Sequence, residues 1–242
     1  MIKDAVGLIK ESKHIVVFSG AGISVESGIP PFRGENGLWS KYNPIFLDLD
    51  YFNKNPKYSW KMIKEIFYDF FGKAKPNTAH KILAKWEQNN IIKNIITQNI
   101  DNLHQEAGSK NVIEFHGTSA ILTCVKCGKK IRANEKILEN LPPSCDKCKG
   151  LLKPNFVFFS EPIPEKALEQ SLIEAYKADL MILIGTTGEI MPASQIPYIA
   201  KENGAKIMEI NIEKTNYSNS ITDIFIKSKA TKIFERLDKL LI

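Results

Sequence analysis

Apolar and polar positions divide the chain into short elements of two periods. Apolar runs at residues 15–18, 180–184 and 206–210 suit strands buried on both faces of a sheet, and a further β-rich run covers 91–97. Ile2, Val6 and Ile9 recur at helical spacing, and Ile233, Phe234, Leu237, Leu240 and Leu241 trace one face of a last helix over 229–241. Helices are also expected over 164–176, over 192–203, and up to Trp86 from a cap at Asn77 or Thr78. Shorter runs at 112–117 and 156–159 read as two more strands. Strand alternating with helix predicts an α/β fold around a parallel, doubly wound sheet.

Residues 37–72 break this rhythm. They carry Trp39, Tyr42, Phe46, Tyr51, Phe52, Tyr58, Trp60, Phe67, Tyr68, Phe70 and Phe71 and are interrupted by Pro44 and Pro56. This pattern predicts short helices forming a lobe, with most of the rings in its core.

Composition narrows the class without naming a function. With 242 residues and 43% hydrophobic content the chain can build one large core and a small appended module. No apolar run reaches the roughly 20 residues that span a bilayer, and the first residues read as an amphipathic helix rather than a signal peptide. No membrane and a cytoplasmic location are therefore expected. The net charge of +6 comes from 33 basic and 27 acidic residues scattered along the chain, so nucleic-acid binding is not indicated.

Candidate chemistry begins where the first strand meets Gly20-Ala21-Gly22. The glycines allow a tight turn that presents backbone amides to an anion, and a dinucleotide pyrophosphate is the natural guest. Val25 stands where the dinucleotide fingerprint has its third glycine, so that fingerprint is incomplete. Pro30-Pro31 then stops any helix early, and Phe32-Arg33-Gly34 adds an aromatic face and a guanidinium beside the expected phosphates. Polar residues gather at the ends of later strands: Gln98-Asn99-Ile100-Asp101, His116, Gly185-Thr186-Thr187 and Asn211-Ile212-Glu213. In an open α/β sheet these ends face one ligand crevice.

The cysteines form Cys124-x2-Cys127-x17-Cys145-x2-Cys148, two knuckles suited to a tetrahedral zinc ion. Two disulfides are the alternative, and nothing in the chain points to secretion. The four thiolates make a closed, structural site. This ribbon interrupts the α/β pattern and, with the aromatic lobe, forms a second, smaller domain. Ribbons of this type also bind nucleic acid, which makes a binding module the non-enzymatic competitor.

Together, Gly20 to Gly34, Thr97 to Asp101, His116-Gly117, the four cysteines and Gly185 to Thr187 resemble the sirtuins, NAD-dependent protein-lysine deacylases, over nearly the whole chain. The resemblance implies a Rossmann-type domain over 1–36, 78–118 and 156–242. A helical lobe over 37–77 and a zinc ribbon over 119–155 make the small domain, with NAD and an acylated-lysine protein or peptide meeting between the two. It implies that Gly20, Ala21, Gly22, Ser24, Phe32, Arg33, Gly185, Thr186, Thr187, Asn211, Ile212 and Ala230 hold NAD. Gln98, Asn99 and Asp101 lie near the nicotinamide ribose, and Ile100 with Asp101 seats the nicotinamide amide. His116, Asn99 and Asp101 are the catalytic set, and His116, Val157, Phe159, Ser160 and Glu161 meet the substrate.

The reaction so implied begins with attack of the acyl oxygen on the ribose as nicotinamide leaves. His116 then deprotonates a ribose hydroxyl, and lysine and 2′-O-acyl-ADP-ribose are released. An imidazole, with an ordinary pKa of about 6.5, suits a base near neutral pH. Mono-ADP-ribosylation shares the first step and is the enzymatic alternative. His14, His80 and His104 read as structural.

Two stretches depart from the family pattern: Ser160, where glycine is common, and Gly188 to Met191, where many members carry an apolar run. Sirtuins that remove succinyl or malonyl groups carry a Tyr-x-x-Arg pair on a helix of the lobe. Here Ile63 and Ile66 occupy those places, or Lys64 and Phe67 if the register slips by one. Deacetylation, extending to longer apolar acyl groups, is the expected activity.

Overall fold

The computed structural model describes residues 2–32 and 37–241. Three strands come first, β1 (Ile15–Ser19), β2 (Ile92–Thr97) and β3 (Val112–Glu114). Next, β4 (Gly117–Cys124), β5 (Lys130–Arg132) and β6 (Leu152–Phe156) form an antiparallel sheet in the order β5-β4-β6. The chain then returns as β7 (Leu180–Ile184), β8 (Lys206–Asn211) and β9 (Ile224–Lys227), completing a six-stranded parallel sheet in the order β3-β2-β1-β7-β8-β9. The winding thus runs outward from β1, comes back to the centre, and runs outward the other way. Its reversal lies between β1 and β7, which opens a crevice at their carboxyl ends.

Alternation within β1 explains why its run is apolar throughout. Ile15 and Val17 join one face of the sheet, under the helices Ile2–Glu11, Thr78–Gln88 and Ala230–Leu241. Val16 and Phe18 join the other, under Glu165–Lys177 and Gln195–Glu202. A strand covered on both sides has no solvent face to keep polar.

The aromatic lobe is a chain of short helical pieces. Asn43 and Asp48 accept hydrogen bonds from the amides of Ile45 and Tyr51, and Pro56 opens the helix Pro56–Ile63. That helix continues as π turns over Lys64–Phe70. Phe46, Phe52, Trp60 and Phe67 pack in one cluster with Leu122, Leu152, Phe156 and Phe158, so lobe and ribbon share a core. The Trp60 indole N–H donates to the Leu152 carbonyl at 2.8 Å and the Tyr68 hydroxyl to the Ser119 carbonyl at 2.9 Å.

The expected strand over 156–159 is a correction. β6 ends at Phe156 and pairs with β4, outside the parallel sheet. Residues 157–159 leave it because their amides are taken elsewhere, Val157 by the His116 carbonyl and Phe159 by the Leu47 carbonyl, both at 2.9 Å, while Phe156 and Phe158 fill the lobe core. The expected run over 112–117 stops at Glu114, and Gly117 starts β4. A Cβ on Gly117 would clash with the Asn155 carbonyl oxygen, and its φ is +73°, so only glycine lets β4 start this close to β6. The helix expected from 192 begins at Gln195.

Candidate functional site

At the sheet reversal the loop after β1 and the loop after β7 touch through their backbones. The Gly20 amide donates to Ile184 and the Gly22 amide to Gly185, both at 2.9 Å. A Cβ on Gly22 would lie 2.5 Å from the Gly185 Cα, so these loops meet only as glycines. Ala21 opens a 3-10 turn over Ala21–Ser27; with the Gly22 amide on Gly185 and the Ile23 amide on Gly20, the Ala21 amide is the one in this first turn left without a backbone acceptor among the described residues. The result is a backbone cradle suited to phosphate groups.

The other strand ends are tied to this cradle. Gln98 donates through Nε2 to the Thr186 hydroxyl at 2.8 Å, and Asn211 donates through Nδ2 to the Thr186 carbonyl at 3.1 Å. Ser24 donates to Asp101 Oδ2 at 2.7 Å, Asn99 donates to Ser24 at 3.2 Å, and the Leu103 amide holds Asp101 Oδ1 at 3.0 Å. Burial raises the Asp101 pKa, and the Ser24 and Leu103 hydrogen bonds oppose that rise. Beside Ile100 and Asp101 a cavity of about 190 Å³ opens between Phe67, Tyr68, Phe71 and Ser119.

His116 stands at the junction of the two sheets. Its Nδ1 lies 3.1 Å from the Gln98 carbonyl, which only accepts, so Nδ1 carries the proton and Nε2 keeps a free lone pair in the neutral ring. Burial lowers the His116 pKa from 6.5, with the Gln98 hydrogen bond acting against the shift. The backbone carbonyl of His116 accepts from the Val157 amide at 2.9 Å, which brings residues 157–161 beside it.

The remaining candidates fall around this centre. Phe32 packs on Trp39 with ring centroids 5.4 Å apart, and Trp39 lies 6.5 Å from the Phe159 ring. Ile212 is exposed at the end of β8. Ala230 starts the last helix, and Thr231 beside it bonds Glu26 of the glycine turn through amide and hydroxyl. Thr187 holds the Asn216 amide, and Tyr217 fills the space above Gly188, so the departure at 188–191 seats an aromatic ring. Ser160 has φ +70°, the left-handed region that glycine occupies without strain. Arg33 lies outside the described residues.

Beneath the site runs a polar chain that no motif revealed. Ser19 donates to Thr97 at 2.9 Å and lies 2.9 Å from His104 Nε2, and Thr97 in turn accepts from the Asn99 amide. His80 and His104 meet edge to face at 4.9 Å, each with one buried ring nitrogen that has no partner among the described residues. These residues sit on separate elements, each in an apolar setting. The sheet's register sets Ser19 beside Thr97, and the packing of the helices Thr78–Gln88 and Leu103–Glu106 brings the two histidines together.

The four cysteines form a separate group, with all Sγ atoms within 4.8 Å of one another. Cys124 and Cys148 approach to 3.4 Å and Cys127 and Cys145 to 3.8 Å. Zn–S bonds of about 2.3 Å in a tetrahedron place sulfur atoms about 3.8 Å apart, whereas a disulfide needs about 2.05 Å. The donor set fits zinc. β4, 8 residues long, carries Cys124 on the order of 20–25 Å from His116. A metal held there cross-links the ribbon and does not reach the crevice.

A sequence profile of the Sir2 family matches residues 20–192. An NAD-dependent protein deacylase of Aeropyrum pernix is 42% identical over 238 residues, covering 96% of this chain and 94% of that protein. One from Thermococcus kodakarensis is 40% identical over 249 residues, covering 98% and 94%. Among solved structures, a Sir2 homologue with ADP-ribose superposes with a TM-score of 0.94 at 37% identity, covering 100% of this chain and 96% of that one. A Sir2 complex with p53 peptide and NAD+ gives 0.90 at 36%, covering 99% and 98%. The chain belongs to the Sir2 family.

Proposed function

We propose that this protein is an NAD-dependent protein-lysine deacylase that converts acetyl-lysine and NAD to lysine, nicotinamide and 2′-O-acetyl-ADP-ribose. The observation that carries the reading is the free Nε2 of His116, set between a glycine cradle on the sheet and the segment 157–161 beside the ribbon.

NAD, when bound, supplies an ADP-ribosyl group whose nicotinamide is displaced by the acyl oxygen. Gly20 to Gly22 and Gly185 to Thr187 hold its phosphates, Ser24 belongs to the same loop, and Asn211, Ile212 and Ala230 border the adenosine end. Gln98, Asn99, Ile100 and Asp101 border the nicotinamide ribose. In that role Asp101 is held in place by Ser24 and Leu103, and Asn99 by Ser24 and Thr97. His116 accepts a ribose proton at Nε2 while Nδ1–H stays on Gln98, which fixes the ring and its tautomer. Phe32 covers the reacting centre from the lobe side and Phe159 from the substrate side, excluding water. Cys124, Cys127, Cys145 and Cys148 hold the zinc that ties the ribbon.

In this reading residues 1–36, 78–118 and 156–242 bind NAD, and 37–77 with 119–155 form the opposing small domain. Among the described residues no helix is long and apolar enough to cross a membrane. Reduced thiols available for zinc suit a cytoplasmic setting.

Acyl preference follows from the lobe. Ile63 and Ile66 are fully buried, and Lys64 turns away to both carboxylate oxygens of Asp69 at 2.8 Å. Among the described residues at these places no side chain offers a free cation to an acyl carboxylate entering there, which would lose its hydration at a cost of several kcal/mol. Acetyl and longer apolar groups are therefore removed well and succinyl poorly. Incubation with NAD and matched acetyl, myristoyl and succinyl peptides tests both levels. Equal amounts of nicotinamide, free-lysine peptide and acyl-ADP-ribose are expected from the first two. ADP-ribose attached to a peptide that keeps its acyl group would sink the deacylase reading, and preferred succinyl removal would sink the pocket argument.

A further inference from the structure

Lys153 lies on β6, outside every motif, with its side chain 12% exposed. Its ammonium has three donors, and three acceptors surround it. Glu161 Oε2 is at 2.8 Å, the Phe156 carbonyl at 3.0 Å and the Pro154 carbonyl at 3.1 Å. The same nitrogen stands 4.0 Å from the centre of the Phe158 ring. A lysine held this completely has lost the freedom that a surface lysine keeps.

Its partner is equally committed. Glu161 Oε2 also accepts the Phe158 amide at 2.7 Å, and the Glu161 amide returns to the Phe158 carbonyl at 3.1 Å. Residues 158–161 thus form a turn closed from both ends, with the carboxylate as its hub. Ser160 sits inside that turn in the left-handed region, a conformation an L-residue holds only when its surroundings impose it. The Val157 and Phe159 amides are taken by His116 and Leu47. The Glu161 carboxylate is therefore committed to Lys153 and to the Phe158 amide.

We propose that Lys153 is a positioning residue for substrate: through Glu161 and Phe158 it locks residues 157–161 in the shape that receives the acylated peptide. This rests on the deacylase reading for its kinetic test. The clasp acts on the peptide side of His116 alone, since none of its bonds reaches the glycine cradle. A pair that served only overall stability would affect both substrates alike. A clasp on this loop separates them.

The test is Lys153→Met in the full-length protein, which keeps the apolar stem and removes the charge. Peptide and NAD are varied separately, and backbone hydrogen exchange is followed without substrate. A lost coupling of this kind raises the peptide KM about tenfold. The NAD KM stays unchanged, and exchange at Phe158 and Glu161 quickens. Lys153→Arg, which keeps charge and donors, restores most of the peptide KM. Glu161→Gln keeps an acceptor for Phe158 but not the ion pair, so it reproduces the peptide effect in part and decides the matter if the Met variant does not fold. An unchanged peptide KM, or peptide and NAD KM rising together with a lower Tm, overturns the proposal. Should the wild-type protein show no deacylation, the functional reading falls by itself. Exchange then decides for the clasp, with unchanged rates in Lys153→Met and Glu161→Gln ruling it out.

Discussion

The two walls of the crevice are built by different means. On the sheet side, Gly20, Gly22 and Gly185 meet backbone to backbone over strands whose residues are entirely buried. On the lobe and ribbon side, position depends on side chains: aromatic rings, four thiols, and the Lys153–Glu161 pair. A wall made of backbone offers the same loop shape to any ligand that carries the same phosphates. A wall made of side chains can be retuned residue by residue, which suits the partner that varies.

His116 stands where the walls meet, and removing it breaks the site without removing either wall. His116→Ala lowers turnover by about 10²–10⁴ and leaves NAD affinity largely intact, because it deletes a base and not a cradle. Turnover and NAD binding measured on one preparation check this, and activity within a few fold of wild type would refute the assignment. The retained NAD affinity is the sharper half of the comparison.

Metal removal attacks the side-chain wall. Cys145 is fully buried in the core shared by lobe and ribbon, so Cys145→Ser costs well above the ~1 kcal/mol of a typical point mutation and releases zinc. Metal content and thermal unfolding report it together. Zinc loss with an unchanged Tm would show that the ribbon is not held by its metal.

Acid attacks the sheet wall. Burial lowers the His80 pKa to about 4 and that of His104 well below 6.5, with His104 further lowered by His80. Both rings are held neutral in the folded chain, so their contribution is complete above pH 6.5. It is withdrawn as the pH falls from there towards the folded values, because the unfolded chain takes up protons first. His80 alone accounts for about 2 kcal/mol between pH 7.5 and 5. Urea midpoints at the two pH values measure this, and equal midpoints would contradict it. The lowered His116 pKa places the acid limb of the kcat/KM profile below pH 6.5, where the loss of stability also sets in. Single-turnover rates on protein shown to be folded separate the two.

The smallest effect belongs to Ser160. Replacing it with glycine relieves the left-handed strain and stabilises the protein by up to about 1 kcal/mol, offset in part by the freer unfolded chain. A Tm that falls instead would mean that the Ser160 side chain makes a contact worth more than the strain.

The backbone wall was the more legible of the two in sequence. Ile15 to Phe18 and Leu180 to Ile184 announce buried strands by unbroken apolar character, and glycines follow both. The strand over 224–227 escaped because Ile224-Phe225-Ile226 is too short a run to separate from a loop. The error at 156–159 has a physical source. Aromatic residues there imitate a buried strand while filling the lobe core, and the true strand carries Lys153 and Pro154, which a sheet accepts only at an edge such as β6. Candidate residues at strand ends were legible because a parallel sheet gathers its carboxyl ends. The chain Ser19–Thr97–His104 was not, since its members come from distant segments, and neither was Lys153, whose partners Pro154, Phe156 and Glu161 are near in sequence but are brought to one nitrogen only by the turn at 158–161.

Insertion of the ribbon between β3 and β7 also dictates an order of assembly. As the chain leaves the ribosome, β1 finds β2 early and β3 adds to β2, but the other neighbour of β1 is β7, with Val17 opposite Ile182. That pairing waits until the ribbon has been made. The cysteines lie within one short stretch, so zinc draws the intervening chain together and shortens the loop that β7 must close. Loop-closure entropy grows only with the logarithm of length, so the gain in equilibrium stability is modest. The gain in rate falls on the step in which β7 seals the exposed edge of β1, brings the two glycine loops together and offers β8 and β9 an edge to add to.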